Sequence, residues 1–384
     1  MKTKTLLLFL LLATGQFAMS QDSLSISQDR FVISILTCSP GTEVYSVFGH
    51  SSMRVIDRQN DTDQVYNFGI FDFDTPNFAY KFLKGKLQYQ LGIVPTPYFV
   101  QTYTSENRLV SEQVLELTDE EEIAIVRRLN YLYLPENRFY YYSFLNRNCS
   151  TELRDLLSGI DAVFSKDTLE ASNRDLINPY LERTPWLRLG VNMLLGKMMD
   201  SNSNRFQSAF LPISFEEEVD KALLHNKGMV IGENNLNPLP EDLGTSYQKI
   251  FSPLKVFSVL LVILLFWSPK PVKVMLCLII GAVGVLLGLL WIFSGHPEIR
   301  NNLDILWCNP LYLLYIPLLI RNKVSKLLTY TLSGSLILTI IVWLSGIQQF
   351  DIAVIPLMLI LGLVNFKSLT RHPAPNLRSV SGST

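Results

Sequence analysis

The sequence predicts an α+β domain exported across the membrane, followed by an all-α membrane domain of about five transmembrane helices. Three observations carry that reading: a short apolar leader, a mixed middle region and a change of composition near residue 250. Up to there, charges interleave with apolar residues as in a globular domain. From Phe251 to Phe366 they survive only in short clusters. A shift of this kind marks two solvents, water and then lipid. The 384 residues carry 33 Lys and Arg against 34 Asp and Glu, a balance that gives no electrostatic footprint for nucleic acid.

At the start, Lys2 and Lys4 precede the apolar run Leu6–Leu12, which is too short to span a bilayer, and Ala18-Met19-Ser20 supplies small residues for cleavage. This pattern reads as a signal peptide over residues 1–20, with Gln21 as the mature start. No cysteine follows the apolar core, so it is not a lipoprotein signal. Residues 21–233 then form the exported catalytic domain. Here Phe31–Thr37, Ser51–Ile56, Val65–Phe71 and Leu87–Val94 read as strands. Thr118 with Glu121 makes a capping box ahead of an amphipathic helix carrying Ile125, Val126, Leu129 and Leu132. The Asn-, Pro- and Gly-containing stretch from Asn234 to Ser246 reads as the core of a linker over 234–249.

The membrane domain spans 250–368, with a tail over 369–384. Its apolar segments are Leu254–Trp267, Val272–Phe293, Leu303–Ile320, Leu327–Gly346 and Ile352–Phe366. The first and last are short against the ~20 residues that a span needs. Basic residues decide orientation: Lys270 and Lys273, then Arg321, Lys323 and Lys326, then Lys367, Arg371 and Arg378 occupy loops on one side, and the other two loops hold only Arg300. Cationic loops stay in the cytoplasm, which places the C-terminus inside and the N-terminal domain outside. The outer loop Ser294–Asn302, followed by Asp304, is unusually polar for a hairpin between spans. It reads either as a solvated turn or as an approach to the exported domain or a lipid headgroup, with His296 and Asp304 as the contacts.

Chemistry concentrates in Phe144–Leu157. Leu153, Leu156, Leu157 and Ile160 recur at i, i+3, i+4 and i+7, so a helix begins at Asn148 or Cys149, with Asn148 as a good N-cap. A thiol at a helix N-terminus feels a field that favours the thiolate. Free first-turn N–H groups there can also receive an oxyanion. A thiol nucleophile wants a base. The exported domain offers His50, at a strand entry after Gly49, and His225, which reads as a capping residue at the polar end of a helix. His50 is the candidate base, with Asn67 or Asp72 as the orienting third group; Arg54, Asn146 and Asn148 are further residues that could orient the site. The competing structural reading makes Cys149 a small buried hydrophobe or half of a Cys38–Cys149 disulfide. Cys38 is also a lesser candidate for the thiol at the site. Two separated histidines and no Cys-x-x-Cys give no metal spacing. No phosphate-binding glycine loop is visible, and no cofactor is expected.

Thr37-Cys38-Ser-Pro-Gly41, Tyr45-Ser-Val-Phe-Gly-His50-Ser51, Tyr66-Asn-Phe-Gly69 and Asn146-Arg-Asn-Cys149 together resemble the Lnb-type lipoprotein N-acyltransferases. Gly295-His296-Pro297 and Asn302-Leu-Asp-Ile-Leu-Trp307 are similar to the polar membrane-domain loop of that family. More distantly, His before a Cys that opens a helix resembles the circularly permuted papain-like and NlpC-like folds. The resemblance implies transfer of an acyl chain from a membrane phospholipid to the α-amino group of a lipoprotein's lipidated N-terminal cysteine, through a Cys149 thioester with His50 as base. Two other readings share parts of the pattern. One is a membrane-anchored cysteine hydrolase acting on the cell wall, and the other is a non-enzymatic envelope sensor or assembly factor.

Overall fold

A computed structural model describes residues 30–238 and 250–369. The signal peptide with its cleavage site, most of the linker and the C-terminal tail lie outside the described residues.

The N-terminal region is built on seven antiparallel strands. In chain order these include β1 Phe31–Cys38, β2 His50–Asp57, β3 Thr62–Ile70, β4 Gln88–Pro95, β5 Val110–Leu115 and β6 Phe139–Tyr141. The seventh, Val230–Asn235, pairs outside β5, so the order across the sheet is Val230–Asn235, β5, β1, β2, β3, β4, β6. Asn234 and Asn235 thus belong to the sheet edge rather than to a linker. The run Phe-Val-Ile-Ser-Ile-Leu-Thr-Cys of β1 is buried along nearly all its length because it sits centrally with both faces covered.

Helices α1 Phe78–Leu83, α2 Thr96–Ser105, α3 Asp119–Tyr133 and α4 Cys149–Ser158 surround the sheet. On one face Ile33, Ile35, Met53, Val55 and Phe68 meet Ile125 and Leu129 of α3 and Leu153 and Leu157 of α4. On the other, Leu36, Cys38, Val65 and Val110 pack on Phe99 of α2. The capping box at the start of α3 forms: Glu121 N–H donates to Thr118 Oγ1 at 3.4 Å, and Thr118 N–H donates to the Glu121 carboxylate at 2.9 Å. His225 is not a helix cap. The preceding helix ends at Lys221, and His225 with Asn226 forms the turn of a small hairpin, both at positive φ (52° and 62°). Two adjacent left-handed residues are what a two-residue hairpin turn demands.

The C-terminal region is helical and has two clear apolar spans, Lys270–Phe293 and Lys326–Leu344. At 1.5 Å per residue, the 24 residues of the first exceed a ~30 Å hydrocarbon core. Of three shorter helices, Tyr312–Ile320 packs on the first span, Val354–Leu369 packs on the second, and Pro253–Phe266 packs on Val354–Leu369. The apolar stretch read as Leu303–Ile320 is broken: Leu303–Leu306 is a separate 3₁₀ turn, and Asn309-Pro310 intervenes before the helix at Tyr312. Gly284 lets Lys270–Phe293 lie against the Cys308 carbonyl, a place no side chain could share.

The two regions are joined through both outer loops. Gly196 N–H donates to Glu298 O at 2.8 Å, and Asn302 Nδ2 donates to Met193 O at 2.7 Å. Arg188 pairs with Asp351 at 2.9 Å, and Gln349 N–H donates to Asp200 Oδ1 at 3.1 Å. Asp200 is itself held by Arg174 at 2.8 Å, both side chains being buried. Arg174 also donates to the carbonyls of Asn192, Leu195 and Gly196, so this cation organises the segment that touches the membrane domain.

Candidate active site

Cys149 opens α4. Asn148, buried in extended conformation just before it, accepts the Ser150 and Thr151 amides on its side-chain oxygen at 3.0 and 2.9 Å. Its amide nitrogen donates to Phe144 O and Phe210 O, both at 2.8 Å, which leaves it no freedom to reach a substrate. Asn148 therefore fixes where the helix begins. The cap also corrects the expected oxyanion donors: Ser150 and Thr151 are already committed to Asn148, so the N–H of Cys149 itself is the first-turn amide that remains.

The thiol meets His50 at the start of β2. The Nε2–H of His50 donates to Asn67 Oδ1 on β3 at 2.7 Å, and Ser52 Oγ lies 3.1 Å from the same nitrogen. That leaves Nδ1 for the sulfur, with which the ring shares a hydrogen bond. Burial pushes the Cys149 thiol up. The His50 charge and hydrogen bond, the Ser51 backbone N–H and the Ser150 hydroxyl outweigh that effect and bring it down to about 7. Burial lowers His50 in turn, but the facing Cys149 and the Asn67 hydrogen bond raise it above its usual value. The ring also stacks on Tyr103, 6.3 Å between centroids and 10° from parallel.

Of the two candidates for the third group, the structure brings Asn67 to His50. Asp72 lies past the end of β3, exposed, and accepts the Asp74 amide at 2.9 Å. The difference is one of strand geometry, because Asn67 lies within β3 beside β2, whereas the chain has already left the sheet at Asp72. Arg54 ion-pairs with Asp63 and Glu112, and the exposed Asn146 donates to Ser143 Oγ. Cys38 sits directly opposite His50 in the β1–β2 register but is fully buried, a free thiol pushed up by burial and bonded to Tyr103. Cys38 and Cys149 do not form a disulfide.

Two further residues border the thiol: Gly69, which the sequence showed only as part of a family motif, and Tyr140, which escaped the sequence reading. Gly69 has φ +94°, and a Cβ there would lie 4.0 Å from Cys149 Cβ, His50 Cε1 and Tyr140 Oη alike. This glycine keeps open the space in front of the thiol. Tyr140, on β6, aims its hydroxyl into that space, and the hydroxyl is buried without a hydrogen-bond partner among the described residues. A buried O–H left unpaired is uncommon and calls for a reason. Tyr140 has no local signature in the sequence; it lies among other tyrosines and only the pairing of β6 with β4 aims it.

The outer loop approaches the N-terminal domain through His296, whereas Asp304 is turned inward. His296 Nε2 donates to Phe82 O at 2.7 Å and its ring packs on Phe82. Asp304 is enclosed, accepting from Trp307 Nε1 at 2.7 Å and Gln348 Nε2 at 2.9 Å. The loop residue that reaches the site's surroundings is Glu298. Its Oε1 accepts from Ser143 Oγ and from the Leu145 amide, both at 3.1 Å, just ahead of Asn148.

Two family models match the chain: the Lnb N-terminal periplasmic domain over residues 20–182, and the Lnb transmembrane domain over 245–372. The chain belongs to the Lnb family. As a member it is an inner-membrane protein with a periplasmic N-terminal domain, and its two domains fit a membrane-associated role in lipoprotein processing. No curated protein and no solved structure matches it.

Proposed function

We propose that this Lnb-family chain is a lipoprotein N-acyltransferase with Cys149 as nucleophile and His50 as base. The observation that carries the reading is the Cys149–His50–Asn67 chain at one end of the sheet, with its entry loop bonded to the outer loop of the membrane domain. A thiol brought down to about 7 is ready to react at neutral pH. A phospholipid donor and a lipoprotein acceptor both sit on the membrane face where such a site lies.

In the first half, His50 Nδ1 takes the thiol proton and the sulfur attacks the ester carbonyl of a membrane phospholipid. The Cys149 N–H and the Tyr140 hydroxyl receive the oxyanion. The C–O bond breaks, the imidazolium protonates the departing lysolipid alcohol, and an acyl thioester remains. In the second half, the α-amine of the lipoprotein's lipidated cysteine attacks that carbonyl. His50 takes a proton from the amine, the C–S bond breaks, and the proton returns to the sulfur. Asn67 holds the imidazole in the tautomer that presents Nδ1. The domain carrying this site would be a permuted papain-like unit, and the membrane domain would cross the bilayer five times with the C-terminus in the cytoplasm.

The test is mass spectrometry of the N-terminal peptide of a lipoprotein co-expressed in a host lacking its own N-acyltransferase. Wild-type protein should add an acyl chain, and Cys149→Ala and His50→Ala should add none. No added chain from stably expressed wild type would sink the transferase and favour a cell-wall hydrolase.

A further inference from the structure

Helix α1 faces two ways. Its C-terminal carbonyls belong to the membrane domain: Phe82 O receives His296, Leu83 O receives Ser294 Oγ at 2.8 Å, and Lys84 O receives the Gly295 amide at 3.0 Å. Lys84 Nζ also lies 5.0 Å over the ring of Phe293, the last residue of a clear span. These contacts pin α1 to the outer end of that span. Its other side, through Tyr80 and Lys81, walls an open cleft of about 740 Å³ that Ile70 also lines; Ile70 directly follows Gly69, whose Cβ position lies 4.0 Å from Cys149 Cβ.

The cleft has an amphipathic lining. Lys81, Lys86 and Arg138 supply three cations against the single carboxylate of Asp72, with Tyr80, Phe139 and Tyr141 between them. A tight turn in which Lys86 N–H donates to Lys81 O at 2.8 Å brings the two lysines together. The Arg138 guanidinium lies 5.1 Å over the Phe139 ring, and its enclosed Nε has no acceptor among the described residues. A planar guanidinium with an unused donor suits a phosphate. Leading away, an aromatic ladder runs from Phe71 to Phe73 at 4.7 Å, to Phe78 at 5.2 Å, to Phe82 at 6.4 Å and to His296 at 5.7 Å. It ends on the membrane loop.

We infer that this cleft binds the phosphate of a glycerophospholipid from the outer leaflet, while the aromatic ladder carries its acyl chains towards Cys149. The cations take the headgroup, the rings take hydrocarbon, and the tether of α1 to the span sets the cleft at the bilayer surface. Calling the bound lipid the acyl donor rests on the function proposed above; the binding itself does not.

The test uses the full chain with Cys149→Ala, held in amphipol and titrated with dihexanoyl phosphatidylglycerol, dihexanoylglycerol and inorganic phosphate. Phosphatidylglycerol should bind at least tenfold tighter than either of the other two. Lys86→Glu, at an exposed position, and Arg138→Ala should each weaken it tenfold or more without affecting dihexanoylglycerol. Unchanged alkylation of Cys149 in the same variants with the thiol restored checks their fold. Equal binding of inorganic phosphate would mean a free-anion site and overturn the proposal, as would variants that bind the lipid normally. Lipid binding as expected, with no acyl transfer by wild type, would sink the transferase and leave the cleft standing. Transfer by wild type with lipid binding indifferent to Lys86 and Arg138 would do the reverse.

Discussion

Glu298, in a loop between membrane helices, accepts the backbone N–H of Leu145 at 3.1 Å, in the turn that delivers Cys149. The same oxygen receives Ser143 Oγ, and the turn closes on itself through paired Ser143 and Arg147 backbone bonds. The membrane domain is thereby bonded to the loop that leads into Cys149.

Truncating that carboxylate should be felt at the thiol. Glu298→Ala leaves a half-buried amide and hydroxyl without their acceptor, a loss of about 1–3 kcal/mol. We expect roughly 10- to 100-fold slower acyl transfer, which is about what that energy is worth. Glu298→Gln keeps an acceptor oxygen and should restore most of the rate. Equal rates for Ala and wild type, measured by lipoprotein mass spectrometry over time, would show that the contact does not position the site.

The pH dependence of thiol alkylation follows from the balance at Cys149. The thiolate is the reactive form, so the rate rises with pH through the folded value of about 7, against 9.0 for an ordinary cysteine. His50→Ala removes the main influences holding it down and leaves burial, so the midpoint should move above 9. Asn67→Ala should move it in the same direction but less far. An iodoacetamide rate profile of wild type with its midpoint near 9 would contradict the thiol–imidazole pairing.

Tyr140→Phe separates catalysis from structure. The hydroxyl has no partner to lose among the described residues, so folding stability should hold or rise slightly, and alkylation of Cys149 should be unchanged. Acyl transfer should fall by about 10²-fold, as when one oxyanion donor is removed. A variant with wild-type transfer would leave the oxyanion to the Cys149 amide alone.

Arg174→Ala tests the joint between the regions. It orphans Asp200 in a buried setting, where breaking an ion pair costs about 3–5 kcal/mol. Denaturation in detergent should show that loss, with proteolysis appearing first between residues 173 and 200. Arg174→Ala with unchanged stability would mean that Asp200 finds compensation from the Gln349 amide.

Much of this was legible in the sequence because it depends on neighbours along the chain. The start of α4, its Asn148 cap and the strands β1 to β4 follow from apolar spacing and local side-chain chemistry. So does the division into a polar region and one with two clear spans. The pairing of Cys149 with His50 could be guessed from which residues were scarce. The rest required the fold. Asn67 rather than Asp72 reaches His50 because β2 and β3 pair and the chain leaves the sheet at Ile70; Tyr140 reaches the same space only because β6 joins the far side of β4. Asp304 turned inward, and Glu298, with no distinguishing motif, became the link to the site. Local propensity specifies where elements begin and end, while contacts between residues far apart in sequence are decided by packing, register and the burial of polar groups that must find partners.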